Sequence, residues 1–181
     1  MFAWLKRLQR ARKRFTRAKR GAAAVEFAFV VLPFFLITFG TAEIAMIGMA
    51  QSSLNFAVAD AGRQIRTGQA QANGVTETEI TQLICDRLNN FMMMNCVDTL
   101  FIDVDSFNSF VDVAGQDNPL QGGNFDEGQM DFTPGGASDI VVVRAFYRWR
   151  MITPMFEAFL SNVGGSDRIL VSTMMFRNEP F

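Results

Sequence analysis

FAFVVLPFFLITFGTAEIAMIGMA, the stretch from Phe27 to Ala50, decides the fold of this chain. Its only ionisable residue is Glu43, and at a rise of about 1.5 Å per residue a helix of this length can cross a hydrocarbon core of about 30 Å. Apolar residues then recur at spacings of three and four, which predicts that the helix continues beyond the membrane. These residues are Leu54, Val58, Ala61 and Ile65. We therefore expect one helix from about Ala22 to Thr67, embedded in lipid over its first half and packed on a domain over its second.

Charge is distributed unevenly on the two sides of this stretch. Nine of the 17 basic residues, including every lysine, lie before Gly21, and all 18 acidic residues lie after it. A basic flank of a membrane helix stays in the cytoplasm, which predicts that the C-terminal part is exported. The acidic character of that part argues against nucleic acid as a partner. A cleavable secretory signal is the alternative, although its apolar core is usually about half as long as this one.

KRGAAAVEF, from Lys19 to Phe27, joins the basic segment to the apolar one. This junction resembles the processing site of type IV prepilins, in which a glycine precedes the cut and a glutamate is the fifth mature residue. The resemblance implies cleavage by prepilin peptidase between Gly21 and Ala22, and a role in assembly or recognition for Glu26 and Phe27. The Glu26 carboxylate can interact with the positive end of its own helix or with a neighbouring subunit's amino group. The alternative is that it only lies among the lipid headgroups.

The whole region from Gly21 to Gly68 resembles the N-terminal part of TadE-like proteins, which are pseudopilins of the tight-adherence (Flp) pilus system. The matching features are the Gly21 to Phe27 entry, the Leu32–Pro33 pair, the Gly40 to Glu43 spacing, the helix end at Arg63 to Gly68, and the final FRNEPF, Phe176 to Phe181. Family members often carry an arginine shortly after this glutamate, whereas Met46 and Met49 occur here, so a local ion pair of Glu43 does not follow from the resemblance. We expect Glu43 to lie near the outer membrane interface, the alternative being an intramembrane contact.

The resemblance implies a function in assembly. A TadE-like pseudopilin is held in the bacterial inner membrane with its N-terminus in the cytoplasm and its C-terminal domain in the periplasm. Its partners would be the membrane, prepilin peptidase, other pilins or pseudopilins, and the Tad pilus assembly platform. The resulting type IVb pilus would support surface attachment and biofilm formation. The competing hypothesis is a signal-anchored extracytoplasmic sensor, enzyme or binding domain unrelated to pili.

The residue inventory disfavours catalysis. The chain has no histidine, the commonest general base and neutral metal ligand, and it has no nucleophile elbow or phosphate-binding motif. We therefore expect no catalytic residue, cofactor, metal or small-molecule substrate. The two cysteines, Cys85 and Cys96, are too far apart for a Cys-x-x-Cys motif. Export would place them in an oxidising compartment, which favours a disulfide over the alternative of two buried free thiols.

The exported part predicts a small α+β domain. TETEITQLICDRLNNF contains a capping box, Thr76 with Glu79, and its apolar positions predict a second helix over about 77–91. Alternation of apolar and polar residues then predicts strands. These are Leu100 to Phe107, Ile140 to Met151 and Leu170 to Arg177. An antiparallel sheet of these strands would bury its apolar face against the second half of the long helix.

The segments between these strands carry weaker signals. Residues 113–137 are rich in Gly, Asn, Asp and Gln, which predicts a long surface loop. Its acids lack the alternating spacing of an EF-hand, so solvated side chains are favoured over a calcium site. Met92 to Met94 are expected to pack at a helix end. Thr153 to Gly165 predicts a short third helix whose apolar residues would be either core or partner contacts; these are Met155, Phe156, Phe159 and Leu160.

The chain is thus divided into three parts. Residues 1–21 form a basic cytoplasmic leader that is removed, residues 22–50 a transmembrane helix, and residues 51–181 an extracytoplasmic domain. The expected fold is α+β, with a long N-terminal helix packed on a sheet of about three antiparallel strands.

Overall fold

The structure, a computed structural model, describes residues 19–92, 96, 98–153 and 156–181. The described residues do not include the basic segment up to residue 18, Met93, Met94 or Met155. The expectations for these residues stay predictions. The chain divides into two compact units, one ending at Ala42 and one running from Glu43 to Phe181. The boundary lies inside one continuous helix, α1, which runs from Lys19 to Arg66.

The elements of the described chain follow the expected order. The helices are α1 (Lys19–Arg66), α2 (Gln69–Ala72), α3 (Glu77–Met92), α4 (Phe110–Val113) and α5 (Glu157–Leu160), and the strands are β1 (Leu100–Phe107), β2 (Leu120–Gln121), β3 (Asn124–Phe125), β4 (Ile140–Arg150) and β5 (Asp167–Arg177). A short 3-10 helix occupies Glu127–Gln129. The α+β fold with a long N-terminal helix and a small antiparallel sheet is therefore confirmed.

The two predicted helix boundaries have the local chemistry that their sequences specify. Gly68 ends α1 in the left-handed conformation at φ 75°, and its N–H donates to the carbonyl of Ile65 at 3.1 Å. A Cβ at this position would collide with the ring of Phe181. At the start of α3, the Thr76 N–H donates to the Glu79 carboxylate at 2.8 Å, and the Glu79 N–H donates to the Thr76 hydroxyl at 3.4 Å. The predicted capping box is thus confirmed.

The three long strands form an antiparallel sheet in the order β1-β4-β5. Val104 lies opposite Val143 in the first pair, and Val143 lies opposite Met174 in the second. The outer edge of β1 is paired at Val104, because the Val104 N–H donates to the carbonyl of Asp131 at 2.8 Å and the N–H of Thr133 donates to the carbonyl of Val104. Covered edges protect a sheet from pairing with other chains.

The hydrophobic core lies between this sheet and the helices α1 and α3. Five alternate residues of β4 belong to the core cluster, and so do the four predicted apolar positions of α1 and three apolar residues of α3. They are Val141, Val143, Ala145, Tyr147 and Trp149; Leu54, Val58, Ala61 and Ile65; and Ile80, Ile84 and Leu88. Burial of this apolar surface is the main source of stability for a domain of this size.

The opposite face of the sheet is also buried, which the sequence did not predict. The expected long surface loop contains the hairpin β2-β3, and Phe125 of that hairpin packs against Phe101 at 5.3 Å and Phe146 at 5.4 Å between ring centroids. Arg148 lies over the Phe101 ring at 5.4 Å. Residues 113–137 are mostly exposed, as expected of a surface loop, but the sequence did not predict that their short hairpin covers an aromatic surface of the sheet.

The C-terminal segment closes over the end of α1. The amide of Asn178 donates to the carbonyls of Pro134 and Gly136, and the N–H of Glu179 donates to the carbonyl of Arg66 at 2.9 Å. The Glu179 carboxylate also pairs with the Arg66 side chain at 3.5 Å, although both groups are about half exposed and the pair contributes little by itself. The segment therefore fixes the end of the helix chiefly through main-chain contacts.

Candidate functional site along the long helix

The predicted processing site lies near the start of the described part of α1. Gly21, Ala22, Glu26 and Phe27 are all exposed and helical. A Cβ on Gly21 would meet no atom within 4 Å, so nothing in the described chain crowds this bond.

Glu26 stands one turn further along the helix. Within the part of the chain that the structure describes, no hydrogen bond or ion pair is found for its carboxylate. A cut after Gly21 would create an amino group on Ala22, four positions before Glu26 and thus on the same helix face. The carboxylate is therefore placed to meet a positive charge from its own chain or from a neighbouring one.

The segment that follows has the surface of a membrane span. The helix Gly21–Arg66 is the one among the described residues that is long and apolar enough to cross a membrane, and none of its most apolar window is buried by protein. From Gly21 to Ala42 its large apolar side chains are mostly exposed. These 22 residues correspond to about 33 Å of helix, close to the thickness of a hydrocarbon core.

Glu43 begins the domain rather than sitting in an exposed helix face. Its side chain is 0% exposed. The two carboxylate oxygens accept hydrogen bonds from main-chain amides in the segment after β4, from the N–H of Ile152 at 2.7 Å and from the N–H of Thr153 at 2.9 Å. The sequence predicted either an interfacial position or an intramembrane contact for Glu43, and neither expectation included a bond to these main-chain amides. The bidentate bond satisfies a buried charge without an arginine.

An open groove of about 770 Å³ follows Glu43 on another face of the helix. It is lined by Ala45, Gly48, Met49, Ser52, Ser53, Phe56, Ala57, Asp60 and Arg87. The small residues allow a second backbone to approach closely, and the Phe56 ring stands 78% exposed beside them. A 2.7 Å ion pair between Arg87 of α3 and Asp60 lies at this groove. Such a surface suits an apolar helix as its partner.

The cysteines lie away from the helix entry. Cys85 on α3 and Cys96 form a disulfide with Cα atoms 5.5 Å apart, and both residues are buried in the core cluster. The bridge joins the last turns of α3 to the chain that leads into β1. The structure thus contains the pairing favoured by the sequence, in a position where it stabilises the domain.

Acidic side chains of the domain bind to protein groups. Asp103 is fully buried and pairs with Arg144 at 2.6 Å, and Asp126 accepts from the N–H of Gly128. Burial, with the nearby Asp103 and Asp131 charges, raises the pKa of Asp105 against the hydrogen bond from Gln116 and the charge of Arg144. Among the described residues no group of three or more His, Cys, Asp or Glu could hold a metal ion.

A comparison with protein-family models bears on the helix just described. Residues 21–63 match the model for TadE-like proteins. The match confirms the resemblance drawn from the sequence over this stretch. The TadE-like segment includes the Gly21 entry, the apolar exposed part, Glu43 and most of the groove, and it stops before the sheet. No curated protein and no solved structure matches the chain.

Proposed function

We propose that this protein is a minor pilin or pseudopilin needed to assemble a tight-adherence (Flp) type IVb pilus, which supports surface attachment and biofilm formation. The observation that carries the proposal is that the TadE-like segment coincides with a helix whose first 22 residues expose an apolar surface. Its role is structural, with no catalysis of its own. Its partners are the inner membrane, prepilin peptidase, other pilins or pseudopilins and the Tad assembly platform.

The membrane anchor of this proposal runs from Ala22 to Ala42. The sequence placed the end of the span at Ala50, but Ala50 belongs to the protein core and Glu43 is buried by protein. The shorter span still has the length of a hydrocarbon core. The basic residues before Gly21 keep the N-terminus in the cytoplasm, and the unit from Glu43 onwards is periplasmic.

Processing follows from the position of Gly21. Prepilin peptidase cuts between Gly21 and Ala22, where a Cβ built on Gly21 would meet no atom of the described chain within 4 Å. The cut removes the basic leader and leaves a positive amino group at the membrane edge. Removal of the leader also removes the charges that hold this end in the cytoplasm.

Assembly then uses two features of the mature helix. The Glu26 carboxylate pairs with an amino terminus, because an ion pair at the edge of lipid is screened less than in water. The groove beside Phe56 receives an apolar helix of a partner pilin, with close approach over Gly48 and the neighbouring small residues. Both features lie on the TadE-like segment.

Intact mass spectrometry of the membrane protein and of Gly21→Leu tests the proposal. We expect a wild-type chain that starts at Ala22 and a variant that keeps residues 1–21, because the leucine side chain obstructs the protease. Gly48→Leu is the matched control, since Gly48 lies on the same helix and also has open space around it; it should be cut normally. An uncut wild-type chain would favour a plain signal anchor, and loss of the whole helix would indicate a secretory signal.

A further inference from the structure

The outer edge of β5 has main-chain groups that point away from the rest of the sheet. β5 pairs with β4 on one side only, because the sheet order is β1-β4-β5. A side chain binds the outer side at Ile169, since the Ile169 N–H donates to the Asn162 side-chain oxygen at 2.7 Å and the Asn162 amide donates to the Ile169 carbonyl at 2.9 Å. Main-chain groups along a strand of an antiparallel sheet point alternately to its two sides. Val171, Thr173 and Met175 therefore also direct their N–H and C=O groups outwards.

Thr173 and Met175 form the open part of this edge. The Val171 carbonyl accepts a hydrogen bond from the Gln51 side chain at 2.9 Å. For the main-chain N–H and C=O groups of Thr173 and Met175, no hydrogen bond is found within the part of the chain that the structure describes. Both residues are exposed, Met175 at 51%. Two consecutive outward positions are thus free to bind another main chain.

The sequence of this strand does not protect its open edge. From Ile169 to Phe176 the chain has no charged residue, glycine or proline. Natural edge strands usually carry such residues or are covered, because a bare edge is a template for another strand. The outer edge of β1 is paired at Val104 with residues 131–133 of the same chain. The edge of β5 has no such cover among the described residues at Thr173 and Met175.

We propose that the edge of β5 from Val171 to Met175 binds an extended segment of another protein, which adds to the sheet as an antiparallel strand. In such strand addition, main-chain hydrogen bonds supply the affinity and side-chain contacts at alternate positions supply the specificity. The edge belongs to the unit from Glu43 to Phe181, and β5 lies outside the TadE-like segment. The inference therefore does not rest on the proposed function.

The side chains beside the open edge specify what this segment carries. Val171, Thr173 and Met175 are alternate residues of the strand, so their side chains lie on one face of the sheet. They favour apolar residues at alternate positions of the added strand. Arg177 follows at the exposed end of β5, where its Nε donates to the Ser138 carbonyl and no ion pair is found for it among the described residues. An acidic residue opposite Arg177 completes the match.

A second copy of β5 does not fit this edge. An antiparallel match of two copies centred on Thr173, the middle of the edge, places Arg177 of each copy opposite Ile169 of the other. The outward main-chain groups of Ile169 are already bound to Asn162. The occupant is therefore a single extended segment, from a loop or a chain terminus of a different protein.

The test uses the full chain in detergent and a labelled synthetic peptide of seven residues, an aspartate followed by alternating threonine and valine. With the aspartate opposite Arg177, the three valines lie opposite Met175, Thr173 and Val171, and their N–H groups face the edge. N-methylation of the valines should weaken binding, measured by fluorescence anisotropy, by at least about tenfold, because it removes these donors. N-methylation of the threonines is the matched control, since their N–H groups point away from the edge, and it should leave binding unchanged.

Variants of the protein give the reciprocal test. Thr173→Pro removes an outward N–H but no bond between β4 and β5, so it should abolish peptide binding. Thr173→Val keeps this N–H and should bind as the wild type does. Arg177→Gln should weaken the binding of the peptide by about threefold, and it should not affect a peptide with asparagine in place of the aspartate.

Absence of saturable binding at millimolar peptide, or equal effects of the two methylation patterns, would overturn the inference. Binding by Thr173→Pro that matches binding by Thr173→Val would also overturn it. If circular dichroism shows that Thr173→Pro does not fold, the two methylated peptides still decide the question on the unchanged protein.

Discussion

Glu43 is a buried carboxylate whose partners are main-chain amides rather than a basic side chain. The two bonds from Ile152 and Thr153 span 109 and 110 residues of sequence, so they join the helix to a segment that is distant in sequence. Hydrogen bonds to a charged acceptor are stronger than neutral ones, and removal of the acceptor leaves two buried donors unsatisfied. The contact therefore holds the segment after β4 against the helix.

We expect Glu43→Gln to destabilise the domain by about 1 to 3 kcal/mol, because the glutamine amide can accept one of the two bonds and presents a donor to the other amide. Glu43→Ala should cost more, since both amides lose their acceptor. Thermal unfolding in detergent, followed by circular dichroism, gives the comparison. Ser52→Ala is the control, because the exposed Ser52 hydroxyl donates only to the carbonyl of Gly48 in its own helix. Equal unfolding temperatures for Glu43→Gln and Ser52→Ala would show that the contact is not stabilising.

The role of Glu43 could not be predicted from the sequence. Its position in the apolar run of the helix indicated only its height relative to the membrane. Helical periodicity shows which residues share a face of the same helix, but it does not show which other segment packs on that face. Its donors are two consecutive amides in a segment without regular structure, and main-chain amides carry no sequence signature. A buried acid bound in this way is visible only when the tertiary structure brings the two segments together.

The long helices and strands were predictable because apolar residues recur in each of them at a regular spacing in the sequence. Strand β1 has the predicted bounds, and β4 and β5 differ from theirs by at most three residues. Strands β2 and β3 were missed because two residues each are too short to show alternation. The sequence also gave no sign that Phe125 would cover Phe101 and Phe146, since aromatic contacts across a sheet depend on how a loop folds back. Among the described residues from Thr153 to Gly165, the predicted third helix is limited to the four residues of α5.

The bridge between Cys85, within α3, and Cys96, after the end of that helix, closes a short loop of the chain. In the chain-entropy description a loop of this size stabilises the folded state by roughly 2 to 3 kcal/mol. Labelling of denatured, unreduced protein should therefore modify neither cysteine, and reduction should lower the unfolding temperature. The Cys85→Ser/Cys96→Ser double variant is the control, and its unfolding temperature should not respond to reductant. Two labelled cysteines in the unreduced wild type would exclude the bridge.

A Glu26 variant can test processing and assembly of the whole molecule separately. The peptidase should depend chiefly on the basic flank and Gly21, so we expect Glu26→Gln to be cut at the same bond. The variant loses the negative charge that we propose pairs with an amino terminus, and it should cross-link poorly to partner pilins and support few pili. Intact mass and a count of surface pili measure the two properties separately.

The Glu26→Gln comparison needs a control variant that removes a negative charge elsewhere in the chain. Asp98→Asn removes an exposed acid from the domain, far in sequence from the helix entry, and it should leave both processing and piliation unchanged. Normal piliation with Glu26→Gln would contradict the assembly role and leave Glu26 as a residue of the headgroup region. Failure of Glu26→Gln to be cut would instead assign the carboxylate to recognition by the peptidase.

The domain contacts the two ends of the buried part of the helix, at positions about 23 residues apart. At Glu43 two main-chain amides bind the carboxylate, and near Arg66 the C-terminal segment binds the helix end, with the apolar core between them. A sliding of the helix along its own axis relative to the sheet would therefore have to break both sets of hydrogen bonds and expose the core between them.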